Sequence, residues 1–257
     1  MGNHPAHRPE RRRPVRALPV ASLATERAIG GAVLAAVREA LADADARFSL
    51  FRPDSELSRI ARGSLALADA SAPLREAYLE ATVWRSRTDG AFTAHRPDGL
   101  LDLSGVVKAR AMRHAVRVLE GETEGGWVLG VGGDLVWSAG GPPDALGIVD
   151  PAARDRMLTA LRPTPGRRAL ATSGSAERGN HIWTRADLPR SPYLQVSVVA
   201  DDIVTADVLA TAIVAGGERT LDEICAREDV DVLTVDRDGS LRATPGIRSA
   251  IERAAAA

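Results

Sequence analysis

The sequence predicts a layered α/β (α+β) fold, and three observations support that expectation. Segments with apolar residues at helical spacing alternate with short apolar runs typical of strands. The run from Gly126 to Trp137 is strand-like and broken by glycine in its middle. No internal repeat or low-complexity linker interrupts the series, so no domain boundary is visible. With 257 residues the chain can bury one substantial core, in one or two lobes. The expected organisation is a basic, disordered tail over residues 1–20 and one folded domain over residues 21–257.

The elements follow in chain order. Met1 to Pro19 is rich in Arg, Pro and His and has no apolar stretch, which excludes a signal-peptide core or membrane span within it. Thr25 is placed to cap a helix whose apolar residues are Ala28, Ile29, Val33, Leu34, Val37 and Leu41. Arg47 to Phe51 alternates in polarity like a short strand, and Ser55-Glu56-Leu57-Ser58 marks a capped helix start. Pro73 opens a helix over Leu74–Arg87, with Gly90 just beyond it. Residues 91–101 are expected to be loop, and Leu103–Glu120 helical. Further strands are expected at 145–150, 167–172, 193–200 and 230–236, with helices at about 204–215 and 218–227.

Composition narrows the function. A net charge of −1 gives no general attraction to nucleic acid or to an anionic membrane. The single cysteine, Cys225, excludes an intrachain disulfide and a cysteine-based metal centre. A cytoplasmic protein with no membrane anchor in this chain is the expectation. Of 33 basic residues 32 are arginine, so Lys108 stands alone. A compact ammonium fits where a planar guanidinium does not, so a specific task and chance survival are both open explanations.

Four constellations carry chemistry. Asp207 and Thr211 are four residues apart, so on a helix they share one face and can address one hard cation such as Mg²⁺. The competing explanation is an acid favoured by the helix dipole beside a back-bonded threonine. Asp102-Leu103-Ser104-Gly105-Val106-Val107-Lys108 places a lysine one turn into a helix whose free amides suit an anion such as a pyrophosphate. The alternative is an amphipathic helix with its lysine in solvent. Gly132-Gly133-Asp134 and Thr172-Ser173-Gly174 are places where a ligand could approach the backbone, or plain turns. His181, in Asn180-His181-Ile182, could serve as acid, base or phosphate partner, or could be structural.

Taken in order, these pieces resemble the ApbE family, the FAD:protein FMN transferases. Phe48 to Arg59 resembles the family's "FSxYxPDSELSR" stretch, and Gly90-Ala91-Phe92-Thr93 its next loop. Asp102 to Lys108 resembles "DLGGIAKG". Gly132-Gly133-Asp134, Asp150-Pro151, Ala171 to Gly174, Asn180-His181-Ile182 and Ala206 to Ala212 match later segments. The resemblance spans roughly residues 46 to 240.

It implies a two-lobed, single-domain fold of mixed sheets flanked by helices, with FAD as substrate and Mg²⁺ beside its pyrophosphate. FMN would pass to a threonine hydroxyl of a flavin-accepting target protein, releasing AMP. The resemblance puts Gly105, Asp207, Ala210 and Thr211 around the metal. It puts Phe51, Ala91, Phe92, Thr93, Asp102, Lys108, Ser173 and His181 around FAD, with His181 and Lys108 as the catalytic pair. The chain departs from the pattern at four residues and in its first strand. Ala109 and Arg113 stand where the family has Gly and Asp, and Thr184 and Arg185 replace the Asp-Pro after the histidine. The family's first strand is missing or compressed between Arg16 and Leu23. These departures leave two alternatives, a non-catalytic FAD or FMN binder and an FAD pyrophosphatase.

Overall fold

A computed structural model describes residues 21–140, 144–174 and 191–255. It contains nine strands and six α-helices among these residues. Strand β1 (Ala21–Thr25) is followed by helices α1 (Gly31–Phe48), α2 (Glu56–Ala61), α3 (Ala72–Arg87) and α4 (Ser104–Glu122). Then come β2 (Trp127–Val131), β3 (Asp134–Trp137), β4 (Leu146–Val149), β5 (Met157–Leu161), β6 (Ala169–Gly174) and β7 (Tyr193–Ala200). Helix α5 (Ile203–Arg227), β8 (Asp231–Asp236), β9 (Leu241–Ala243) and α6 (Pro245–Ala255) complete it.

Seven strands form one sheet in the order β1-β2-β3-β6-β7-β8-β9, and β4 and β5 form a separate hairpin. The expected α+β class is met. The strand directions are antiparallel in every named pair, where a mixture was expected. Alternation along the strands sends side chains to opposite faces. Leu129, Val131, Val136, Ala171, Val196 and Val198 join α1, α3, α4 and α5 in the larger core. Trp137, Leu170, Val199 and Leu233 face the other way and pack with Leu146, Ile148, Leu161 and Ile247 of the hairpin and α6.

Several local outcomes differ from the expectations. Residues 21–25 are a strand, which pairs with β2 from Ala21↔Val131 to Thr25↔Trp127; residues 16–20 lie outside the described residues. That pairing takes Thr25 away from the helix, which begins after Gly30. The expected strand at 47–51 is instead the end of α1 and a loop. Arg47 is tied to Asp43 at 3.0 Å and to Glu56 at 2.9 Å, which keeps it on the last helical turn. Ser55 caps α2 as expected, its hydroxyl accepting from Ser58 N at 3.0 Å. The glycine break at 132–133 is a two-residue hairpin turn, with φ of 59° and 91° at successive glycines. It brings Asp134 directly opposite Val131.

The two helices expected at 204–215 and 218–227 are borne out as the two segments of α5, which meet at a break at Gly217, whose φ of 71° and ψ of −154° only glycine tolerates easily. At its start Asp202 Oδ2 accepts from Val204 N and Thr205 N, both at 3.0 Å. This cap orients the turn that carries Asp207. Asp202→Ala is expected to destabilise the protein by about 1 kcal/mol, read as a lower denaturant midpoint.

Candidate functional site

Three elements converge on one buried ion cluster. Lys108 lies one turn into α4, Asp134 opens β3 on the helix-covered face of the sheet, and Asp207 lies one turn into α5. The Lys108 ammonium is 2.5 Å from Asp134 Oδ2 and 3.2 Å from Asp207 Oδ1. Asp134 is 0% exposed and Asp207 3% exposed. The alternative of an amphipathic helix with its lysine in solvent does not survive, since the Lys108 side chain is only 18% exposed and bridges two carboxylates.

Neighbouring hydroxyls extend the cluster. Thr211, one turn beyond Asp207, has its Oγ1 3.1 Å from Ser173 Oγ of β6. Asp134 Oδ1 accepts from Thr172 N at 3.2 Å, joining β3 to the same end of β6. Two buried carboxylates against one ammonium leave an excess negative charge. Among the described residues, Asp207 Oδ2 is buried without a hydrogen-bonding partner. A buried carboxylate oxygen in that condition is costly unless a further group completes it, and a hard cation is one group that could.

Electrostatics single out Asp134. Burial, opposed by Lys108 and reinforced by Asp207, pushes its carboxyl from 3.8 up to about 7. The folded protein therefore retains this proton where the unfolded chain has lost it. Stability falls as pH rises through the interval from about 4 to about 7, because the folded state binds more protons there. Asp134→Asn is expected to flatten that slope, measured as unfolding midpoints at pH 4, 5, 6 and 7.

The other expected site residues divide into groups. Gly105 lies three residues before Lys108, in the first turn of α4. Asp102 Oδ1 accepts from Ser104 N at 2.9 Å, so this acid serves the start of α4. Ala210 is fully buried inside α5. Phe51 is 70% exposed, whereas Phe92 is 3% and Ala91 8% exposed. Phe92 and Ala91 are core residues, and Thr93 is half-buried beside them. His181, with Thr184 and Arg185, lies outside the described residues. Asp134 is the member sequence reasoning left out of the site. Gly132-Gly133-Asp134 was visible as a turn and as a family match, but only the sheet topology shows that its carboxylate meets Lys108.

Arg113, which stands where an acid was expected, has its own structural use. It grips Glu80 of α3 with two contacts of 2.9 Å, and Arg110 pairs with the same carboxylate. Burial would raise the Glu80 carboxyl, but these two guanidiniums outweigh it and hold it below its ordinary value. Ala109 is fully buried between the helices.

A cleft of about 150 Å³ opens on the other side of the β2–β3 turn. Gly133, Leu135, Ile148, Val149, Pro151 and Leu194 give it mainly apolar walls, and Asp150, Arg154, Thr172 and Gln195 add polar edges. Gln195 is fixed by donating to Val149 O at 3.1 Å. The cleft and the ion cluster thus flank the same end of β3 and β6.

Comparison with known proteins identifies the family and the fold. The ApbE family model matches residues 93–234. An FAD:protein FMN transferase of Rhodobacter capsulatus is 32% identical over 164 residues, which make up 59% of this chain and 31% of the relative. This chain therefore spans about a third of that relative's length. The ApbE protein of Thermotoga maritima superposes with a TM-score of 0.72 at 17% identity, covering 89% of this chain and 94% of that one. The flavin transferase ApbE of Vibrio cholerae gives a TM-score of 0.71 at 19% identity, with the same coverage. The family match covers more than half of the sequence and runs through Lys108, Asp134, Ser173, Asp207 and Thr211, so this chain belongs to the ApbE family.

Proposed function

We propose that this chain is an FAD:protein FMN transferase that works with Mg²⁺. The observation that carries the reading is the Lys108 ammonium between two buried carboxylates, with one oxygen of Asp207 left without a hydrogen-bonding partner among the described residues. A pyrophosphate and a hard cation are the complementary ligands for such a site. Asp207 and Thr211 would hold Mg²⁺ with the Gly105 carbonyl, and the buried Ala210 would back them. When bound, the cation supplies charge neutralisation to the phosphate oxygens.

In the proposed reaction, a threonine Oγ of the acceptor protein attacks the phosphorus on the FMN side of FAD. A new P–O bond forms, the bond to the bridging oxygen breaks, and AMP departs with that oxygen. Lys108 is placed to stabilise the charge that builds on the phosphate oxygens, which is the main catalytic demand of phosphoryl transfer. Asp134 orients Lys108. His181 is assigned to take the proton lost by the threonine; if another group is the base, it is assigned to stabilise the phosphates. The apolar cleft beside Gly133 offers a slot for a planar ring of the dinucleotide, and Phe51, Thr93, Asp102 and Ser173 are assigned to its surroundings.

No helix among the described residues is long and apolar enough to cross a membrane. A cytoplasmic setting belongs to the proposal, as does an acceptor protein with an accessible threonine and no nucleic-acid partner. The test is incubation of the purified chain with FAD and Mg²⁺, with and without such an acceptor. AMP release that requires the acceptor, with FMN attached to it, is the expected result. AMP without acceptor would indicate an FAD pyrophosphatase. Bound FAD with no AMP would indicate a flavin binder, the reading favoured by Thr184 and Arg113.

A further inference from the structure

The loop between α3 and α4 was expected to touch FAD through Ala91, Phe92 and Thr93, yet its two apolar side chains point into the protein. The Phe92 ring lies on Gly105 so closely that a Cβ added to that glycine would meet Phe92 Cε2 at 2.9 Å and Cζ at 3.4 Å. Ala91 touches α5 more lightly: a Cβ on Gly216 would first meet the Thr220 side chain of the same helix, and then the Ala91 methyl at 3.0 Å. The loop is itself anchored. Phe92 N donates to Thr88 Oγ1 at 3.1 Å, and that hydroxyl donates to Trp84 O at 2.8 Å. Asp102 N donates to Ala94 O at 2.8 Å, closing the loop at the start of α4.

One short wedge thus bears on both helices that supply the ion cluster. Gly105 is three residues before Lys108 on α4, and Gly216 lies just ahead of the break at Gly217, in the same straight part of α5 as Asp207 and Thr211. Glycine at 105 and 216 leaves room for the wedge, and close-packed interiors transmit a displacement of this kind.

We propose that Phe92, seated on Gly105 and steadied by Ala91 against Gly216, is a positioning residue that sets the first turn of α4 relative to Asp207 and Thr211. The inference rests on the cation reading given above. It assigns Phe92 an indirect role in holding the cation, through the Gly105 backbone, in place of contact with flavin.

The test is Mn²⁺ affinity, measured by electron paramagnetic resonance at low temperature with FAD present and no acceptor protein. Phe92→Leu removes the Cε and Cζ atoms while keeping an apolar side chain. It is expected to weaken Mn²⁺ binding about tenfold, the scale for residues that orient a metal ligand. Gly105→Ala is expected to weaken it at least as much. In the double variant the new methyl occupies the space vacated by the ring, so binding should recover relative to Gly105→Ala alone. Ile247→Val, which trims the opposite core, should lower thermal stability and leave Mn²⁺ affinity unchanged.

Wild-type affinity in Phe92→Leu would overturn the inference, because an ordinary core role would change stability only. Additive losses in the double variant would overturn it as well. Failure of the wild type to bind Mn²⁺ at all would instead overturn the cation reading, and the wedge with it. Should Gly105→Ala fail to fold, Phe92→Leu against Ile247→Val still decides the matter.

Discussion

Asp207→Asn is expected to lower Mg²⁺-dependent AMP release from FAD by a factor on the order of 10² to 10³ without lowering stability. The substitution keeps the volume of the side chain and removes its charge. In the wild-type protein Asp207 is 3% exposed, one oxygen faces Lys108 and the other has no hydrogen-bonding partner among the described residues. Removing the charge takes away an oxygen ligand from the proposed cation and leaves Lys108 paired one-to-one with Asp134. The loss of catalysis has the size seen when one preorganised electrostatic contact to a transition state is deleted. The structural effect runs the other way, because two like charges no longer share one buried site. Steady-state AMP release and a denaturant titration on the same variant check both halves. Full activity in Asp207→Asn would remove the cation assignment.

Lys108→Met is expected to produce the largest stability loss of any single change in the cluster. It leaves Asp134 and Asp207 buried together with no cation of the chain between them, and an orphaned buried charge of this kind costs about 3–5 kcal/mol. The loss should shrink as pH falls. Lys108 is a force that lowers the Asp134 carboxyl, so without it that carboxyl rises beyond about 7 and takes up a proton more readily. The protonated form then relieves the repulsion. Unfolding midpoints of the variant should therefore recover between pH 8 and pH 5.5, when compared with wild type at each pH. Lys108→Arg keeps the charge, so it should retain most of the stability. Its planar, longer head cannot reproduce contacts of 2.5 and 3.2 Å to two carboxylates at once, and AMP release should fall.

These expectations show which parts of the protein could be read in its sequence. Asp207 and Thr211 were legible because helical spacing alone puts them on one face. Lys108 was legible because its type is unique in the chain. Asp134 was not, since its partners lie far away in sequence and meet it only through the hairpin at Gly132-Gly133 and the packing of α4 on the sheet. Phe92 was given a ligand contact because the family resemblance puts its loop beside FAD. Its burial depends on glycine at 105, a relation between two elements that no local pattern encodes.

The same limit explains the fold. Helices α3 and α4 and strands β7 and β8 carry strong periodic or β-branched signals and fall where expected. Residues 21–25 become a strand only because β2 offers an open edge, and 47–48 stay helical because Asp43 and Glu56 hold Arg47. Strands β5 and β9 and helix α6 are short, and their stability comes from the second core around Leu161 and Ile247. Long-range packing overrides weak local preference in each case.

The central claim is that the junction of α4, β3 and α5 holds a divalent cation beside the Lys108 ammonium. Diffraction from crystals grown with Mn²⁺ and FAD, recorded at the manganese absorption edge, addresses it directly. The account predicts an anomalous peak within ligand distance of Asp207, Thr211 and the Gly105 carbonyl. A peak at other residues, or bound FAD with no peak at this junction, would contradict it.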